Sequence, residues 1–224
     1  MRALKIVSII LGILFSLAGI VLVTGAGFGL GAYNSQRDAS GFFNTPSRQV
    51  GSYGFVLTVP DINQQLGPSW ARWVPTHAQA TIRITGTSEL TAPLFIGIGS
   101  TSSVSRYVSG VTRDRIKGID LSAGTVQYDH VDGTTIPSKP GRQSFWVAKT
   151  EGVGTRTLEW DLEPGDWTVV FMNGDASPPV AATVLLGVKF GVLTKVLVSV
   201  LAGGVALLAI GAALIALGVR RRLP

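Results

Sequence analysis

Imidazoles and clustered acids are the residues of this chain best suited to chemistry. There are two histidines, His77 and His130, so a Ser–His–Asp relay would have to recruit one of them. Both otherwise read as surface residues near strand ends. Asp129-His130-Val131-Asp132-Gly133 offers carboxylate and imidazole ligands suited to a cation, yet two acids three apart before a glycine also describe an ordinary turn. Glu159, Asp161 and Glu163 alternate with Trp160 and Leu162, which puts three carboxylates on one strand face. Such a face is ordinarily solvated, and calcium or a basic partner is the sharper alternative. Trp70, Arg72 and Trp73 stand together in PSWARWVP. They are surface candidates, able to stack on a glycan or to sit at the lipid headgroup level.

Other signatures are missing. No HExxH, GxSxG or GxxxxGK[ST] occurs. Gly27-x-Gly29-x-x-Ala32 loosely matches a dinucleotide fingerprint, but it lies in an apolar run and not between a strand and a helix. With no cysteine, disulfides, thiolate metal sites, iron–sulfur clusters and thiol catalysis are excluded. No cofactor is expected, and no metal site is assigned.

The elements that must position these residues come in two kinds. Residues 6–23 are uncharged, and the apolar and small-residue run continues to Ala32. Residues 196–219 are again uncharged. At 1.5 Å per residue these helices reach about 40 and 36 Å, longer than a hydrocarbon core of about 30 Å. Two transmembrane helices are therefore expected. A cleaved signal peptide is the alternative for the first, with small residues at Thr24-Gly25-Ala26, but its apolar run exceeds a usual signal core. The net charge of +6 is a topology signal. Between Asn34 and Leu186 there are 12 Lys/Arg against 13 Asp/Glu, and the other seven basic residues flank the apolar runs. That distribution argues against a nucleic-acid partner. Arg2, Lys5, Arg220, Arg221 and Arg222 place both termini in the cytoplasm, opposed weakly by Lys189 and Lys195. In the first span Gly12, Gly19 and Ala26 recur every seven residues, as do Gly204, Gly211 and Gly218 in the second. Each stripe lets another helix approach closely, either the other span or a second copy. Neither span holds an ionisable residue at its centre, which weakens a pump or transporter.

Between the spans the chain alternates as β-strands do. Candidates are residues 53–59, 78–85, 94–98, 115–121, 125–129, 144–149, 157–162, 167–173 and 180–188, separated by turn formers such as Asp132-Gly133 and Pro164-Gly165-Asp166. Trp146, Trp160 and Trp167 fall in these strands and are expected in the core. Residues 101–109 carry a short helix capped by Ser100 or Thr101 and ended by Gly110. Residues 61–75 read as a loop or a short helix. The expected fold is an all-β extracytoplasmic domain, an antiparallel β-sandwich or jelly roll, between two transmembrane α-helices. Its expected boundaries are a cytoplasmic N-terminus at 1–5, spans at 6–32 and 190–219, the β domain at 33–189, and a basic tail at 220–224.

The segments GSYGFVLTVP, LFIGIGSTSSVSRYVSGV and SFWVAKTEGVGTRTLEWDLEPGDWTVVFMN, with the Gly-rich last span, resemble a family of uncharacterised actinobacterial membrane proteins. The Trp160–Asn173 stretch carries that family's W-x-x-x-x-G-x-W-x-V-V-x-M-N pattern. The resemblance implies architecture and no activity.

These readings converge on a non-enzymatic plasma-membrane protein. Its external domain is expected to bind a protein, a glycan or another cell-envelope partner, with the bilayer holding its helices. A homo-oligomeric two-span channel is the alternative, by analogy of layout alone. An enzyme ranks third.

Overall fold

The computed structural model describes residues 2–62, 80–120 and 125–219. The chain forms two units, Met1–Gly41 with Phe190–Pro224, and Phe42–Lys189.

The first unit is a helical hairpin of α1 (Arg2–Ser35) and α3 (Leu193–Val219). Neither contains proline, and both are apolar almost throughout, so the helix ladder is uninterrupted. Ile10, Leu14, Leu17 and Val21 of α1 and Val198, Val205, Ile210 and Leu217 of α3 are exposed. The six heptad positions Gly12, Gly19, Ala26, Gly204, Gly211 and Gly218 are all buried. The helices run antiparallel with backbone against backbone. A Cβ on Gly12 would lie 2.8 Å from the Gly211 carbonyl oxygen, and one on Gly19 would lie 2.8 Å from that of Gly204. A Cβ on Gly218 would meet Ile9. Two hydrogen bonds tie α1 to the C-terminal segment of this unit, one to α3 itself and one to Phe190 just before it. Ser8 Oγ donates to the Leu214 carbonyl at 2.8 Å, and the Tyr33 hydroxyl to that of Phe190 at 3.1 Å.

The second unit is all β with one short helix, α2 (Thr101–Tyr107). One sheet contains β1 (Phe43–Asn44), β2 (Arg48–Ser52), β4 (Ala80–Ser88), β9 (Thr155–Asp161) and β11 (Val180–Phe190), in the order β1-β11-β4-β9, with β2 also on β11. The other contains β3 (Val56–Val59), β5 (Leu94–Ser100), β6 (Arg113–Asp120), β7 (Thr125–Val131), β8 (Trp146–Gly152) and β10 (Trp167–Asn173), in the order β7-β6-β3-β10-β5-β8. Both sheets feed one buried cluster. Leu57, Ile96, Ile98, Ile116 and Phe171 come from the six-stranded sheet, and Ile82, Ile84, Leu158, Trp160 and Val184 from the other. Gly86 of β4 leaves room there, because a Cβ would sit 2.9 Å from Ile96 and Leu94.

The six-stranded sheet is also covered on its outer face. Val56, Phe95, Val170 and Met172 form a second cluster with Val104 of α2, Val108 just after it, and Trp146. Burial on both faces explains why β3, β5 and β10 read as continuous apolar runs. Gly97 and Gly99 give Trp146 its place, since a Cβ on either would press on its ring. The indole Nε1 donates to the Pro140 carbonyl at 2.9 Å. Ser100 caps α2 through its side chain, and Gly110 follows the helix with φ +72°.

One pairing departs from the antiparallel expectation. β3 and β6 are parallel, Val56 opposite Arg113 and Thr58 opposite Arg115. The chain has passed through β4, β5 and α2 by then, which supplies the long crossover that a parallel pair requires. β1 and β2 were not anticipated, and β11 continues to Phe190, two residues beyond the expected end.

A side chain at Gly211 would occupy the space of the facing backbone. Gly211→Leu is expected to lower thermal stability in detergent by at least the 1–3 kcal/mol typical of overpacking. Leu at the exposed Ala213 should be near neutral. Equal melting of the two variants would contradict this seam.

Candidate functional site

The inner face of the six-stranded sheet changes character toward one end. Ile116 of β6 is in the core and Val126 of β7 packs against it. Two and four residues along, in phase with them, come Asp114, Tyr128 and His130. Apolar burial therefore gives way to a polar cluster on the same face, and a cleft of about 440 Å³ opens there. Its lining includes Ser52, Tyr53, Asp114, Tyr128, Pro179 and Val180. β2 and β11 of the other sheet supply the opposite wall, where β2 comes close because Gly51 has no Cβ to meet the Val180 carbonyl.

Asp114 is the centre of this cluster, with a side chain 9% exposed. Ser52 Oγ donates to its Oδ2 at 2.6 Å, and His130 Nδ1 lies 2.6 Å from its Oδ1. The other imidazole nitrogen, Nε2, is 3.3 Å from Asp132, which is 98% exposed. The Ser52 hydroxyl also accepts from the Gly54 amide at 3.0 Å. A buried carboxylate is costly unless hydrogen bonds satisfy it, and here a hydroxyl and an imidazole do so from two other strands.

The carboxylate, and not the imidazole, is the middle member of the chain. Acyl-transfer relays place histidine between serine and the acid, so that the base faces the nucleophile. In this order the Ser52 proton points at Asp114. The hydrogen bond to Asp114 raises the His130 pKa above its ordinary value; desolvation opposes it, and the charges of Asp114 and Asp132 add to the rise. Burial raises Tyr128, partly offset by a Gly51 backbone hydrogen bond and reinforced by the Asp114 charge.

Pro179 is fixed in the wall from below. Asn173, 1% exposed, donates from Nδ2 to the Ser177 and Pro179 carbonyls, each at 2.8 Å, across the loop that carries the cis Pro178–Pro179 bond.

The other anticipated groups do not converge. Asp129 lies 3.3 Å from Lys117, while its neighbour His130 turns to Asp114. Glu159 pairs with Arg83 at 2.8 Å, and Asp161 accepts from Thr81 at 2.6 Å. Arg83 lies over the Phe42 ring at 3.6 Å. Among the described residues no three His, Asp or Glu side chains are placed to hold a metal. Gly27, Gly29 and Ala32 lie inside α1, so no phosphate-binding turn is formed. Trp146 and Trp160 are buried and Trp167 is half-buried, its ring against Trp160. Trp70, Arg72, Trp73, His77 and Arg220, Arg221 and Arg222 lie outside the described residues, and Arg2 and Lys5 open α1. Asp114, Ser52, Tyr53 and Tyr128 were missed by sequence reasoning. The available signal was a carboxylate in phase with Ile116 on a core-facing strand.

The chain matches no protein-family model and no curated protein.

A histidine whose pKa is raised on folding stabilises the fold in full below its unfolded value, and that contribution disappears as pH rises through the folded value. The wild-type chain is therefore expected to lose stability from about pH 6.5 upward. His130→Asn should flatten that part of the profile in melting scans. An unchanged slope in the variant would contradict the Asp114 pairing.

Proposed function

We propose that the chain is a non-enzymatic integral membrane protein of two spans. Its β unit, folded as a β-sandwich, lies on the extracytoplasmic side, as the layout of the resembling actinobacterial proteins implies, and binds an envelope partner. The observation that carries the reading is the inside-out hairpin. α1 and α3 bury glycine and expose isoleucine, leucine and valine. In water that apolar surface would drive association, whereas in lipid it meets its own kind. Arg2, Lys5 and Arg220–Arg222 favour cytoplasmic ends.

The binding role rests on the cleft. Its polar cluster interrupts a core-facing strand pattern, which is where function commonly overrides folding rules. The relay order supports binding over acyl transfer. A channel draws less support, because the glycine stripes that could join copies already face each other within one chain, and neither span has an ionisable residue at its centre to line a pore.

The protein should stay with membranes after alkaline carbonate extraction, and a reporter fused after Pro224 should be active in the cytoplasm. Neutral replacements of Arg220, Arg221 and Arg222 together should weaken that orientation. Release into the soluble fraction, or a reporter active only outside, would overturn the reading.

A further inference from the structure

We infer that the cleft between Tyr53, Tyr128 and Pro179 is a site for an organic ammonium group, with Asp114 as its counter-charge. The inference rests on the binding role proposed above and names the ligand class.

The lining selects for a cation in three ways. Asp114 is nine-tenths buried at the wall. An ionised carboxylate offers about four acceptor positions, and Ser52 and His130 occupy two of them. The Ser52 proton is already donated to Asp114, so it cannot serve an anion. Among the described residues no lysine or arginine lines the cleft. The walls are two tyrosines, 93% and 43% exposed, and a tyrosine face attracts an ammonium through its ring quadrupole. An ammonium has donors and no acceptor, which suits a mostly apolar lining whose charged member is the Asp114 carboxylate. A phosphate or a free carboxylate would meet Asp114 with no permanent cation among the described lining residues.

His130 makes the site dependent on pH. The titratable groups around it are Asp114 on β6, Asp132 beyond β7 and Tyr128 on its own strand. Protonated His130 competes with an incoming ammonium for Asp114. Once the proton leaves, the carboxylate charge faces the ligand alone, so ammonium binding tightens as pH rises.

The test uses the full chain in nanodiscs made only of phosphatidylglycerol, which carries no amine. n-Butylammonium is titrated against the ring NMR signals of His130 and Tyr128, with N-butylacetamide as its neutral counterpart. The ammonium is expected to bind and the amide not. Its affinity should rise on the order of fivefold from pH 5.5 to pH 8, as expected for one added charge nearby. Tyr53→Ala should weaken it about two- to fivefold, the size of an exposed cation–π contact. Tyr53 is nearly fully exposed, so this variant keeps the fold. Asp114→Asn should abolish binding. Replacing part of the lipid with phosphatidylethanolamine lowers the apparent affinity if the natural ammonium is a headgroup, and leaves it unchanged if a soluble molecule or protein carries it. Equal binding of the amide, affinity that falls with rising pH, or no effect of Tyr53→Ala would each overturn the site. None of these outcomes bears on membrane insertion, so the two proposals fail separately.

Discussion

The contact between the Gly12 and Gly211 backbones, repeated at Gly19 and Gly204, sets the character of the helical unit. A Cβ at these positions would press on the facing carbonyl oxygens and on side chains such as Ile215 and Leu208, so glycine is what lets the helices come this close. Many of the other bulky residues, such as Leu14, Leu17, Val205 and Leu217, are exposed. A soluble hairpin has the reverse arrangement, with its apolar stripe inside and its polar face outside. Because the helices are antiparallel, the end of α1 and the start of α3 lie together. The chain can leave one, form the β unit and return to the other.

The β unit follows the opposite rule. Its side chains fill the space between the sheets and a second cluster behind one of them, and that core serves where no disulfide exists. The interior ends at Asp114. A carboxylate there needs donors, and the strands that provide them, β2 and β7, thereby fix the two sides of the cleft. Packing and recognition are thus linked through one residue. Ser52 and His130, which make Asp114 tolerable, are near neighbours in sequence of the lining residues Tyr53 and Tyr128.

Much of this was legible in the sequence where a period exists. Ala80, Ile82 and Ile84 alternate as β4 requires, and Leu158 and Trp160 do the same in β9. The glycine heptads marked buried positions, although spacing alone does not say whether the partner is the other helix or another copy. Direction was not legible, because an alternating pattern is the same for a parallel and an antiparallel neighbour, so the β3–β6 pair could not be read. β2 lacks apolar alternation and exists through its pairing with β11. The Asp114 relay spans 62 residues to Ser52 and 16 to His130, a proximity only the folded sheets create. Its local trace was a single acid in phase with Ile116.

Because the chain has no native cysteine, one introduced thiol reports its own location without background. Val153 lies at the tip between β8 and β9 and is 70% exposed, so Val153→Cys leaves both cores intact. The direct measurement is labelling of this variant in intact cells with a membrane-impermeant maleimide. Full labelling is expected before lysis, at the level reached after it. Labelling only after the membrane is broken would place the β unit inside and contradict the account.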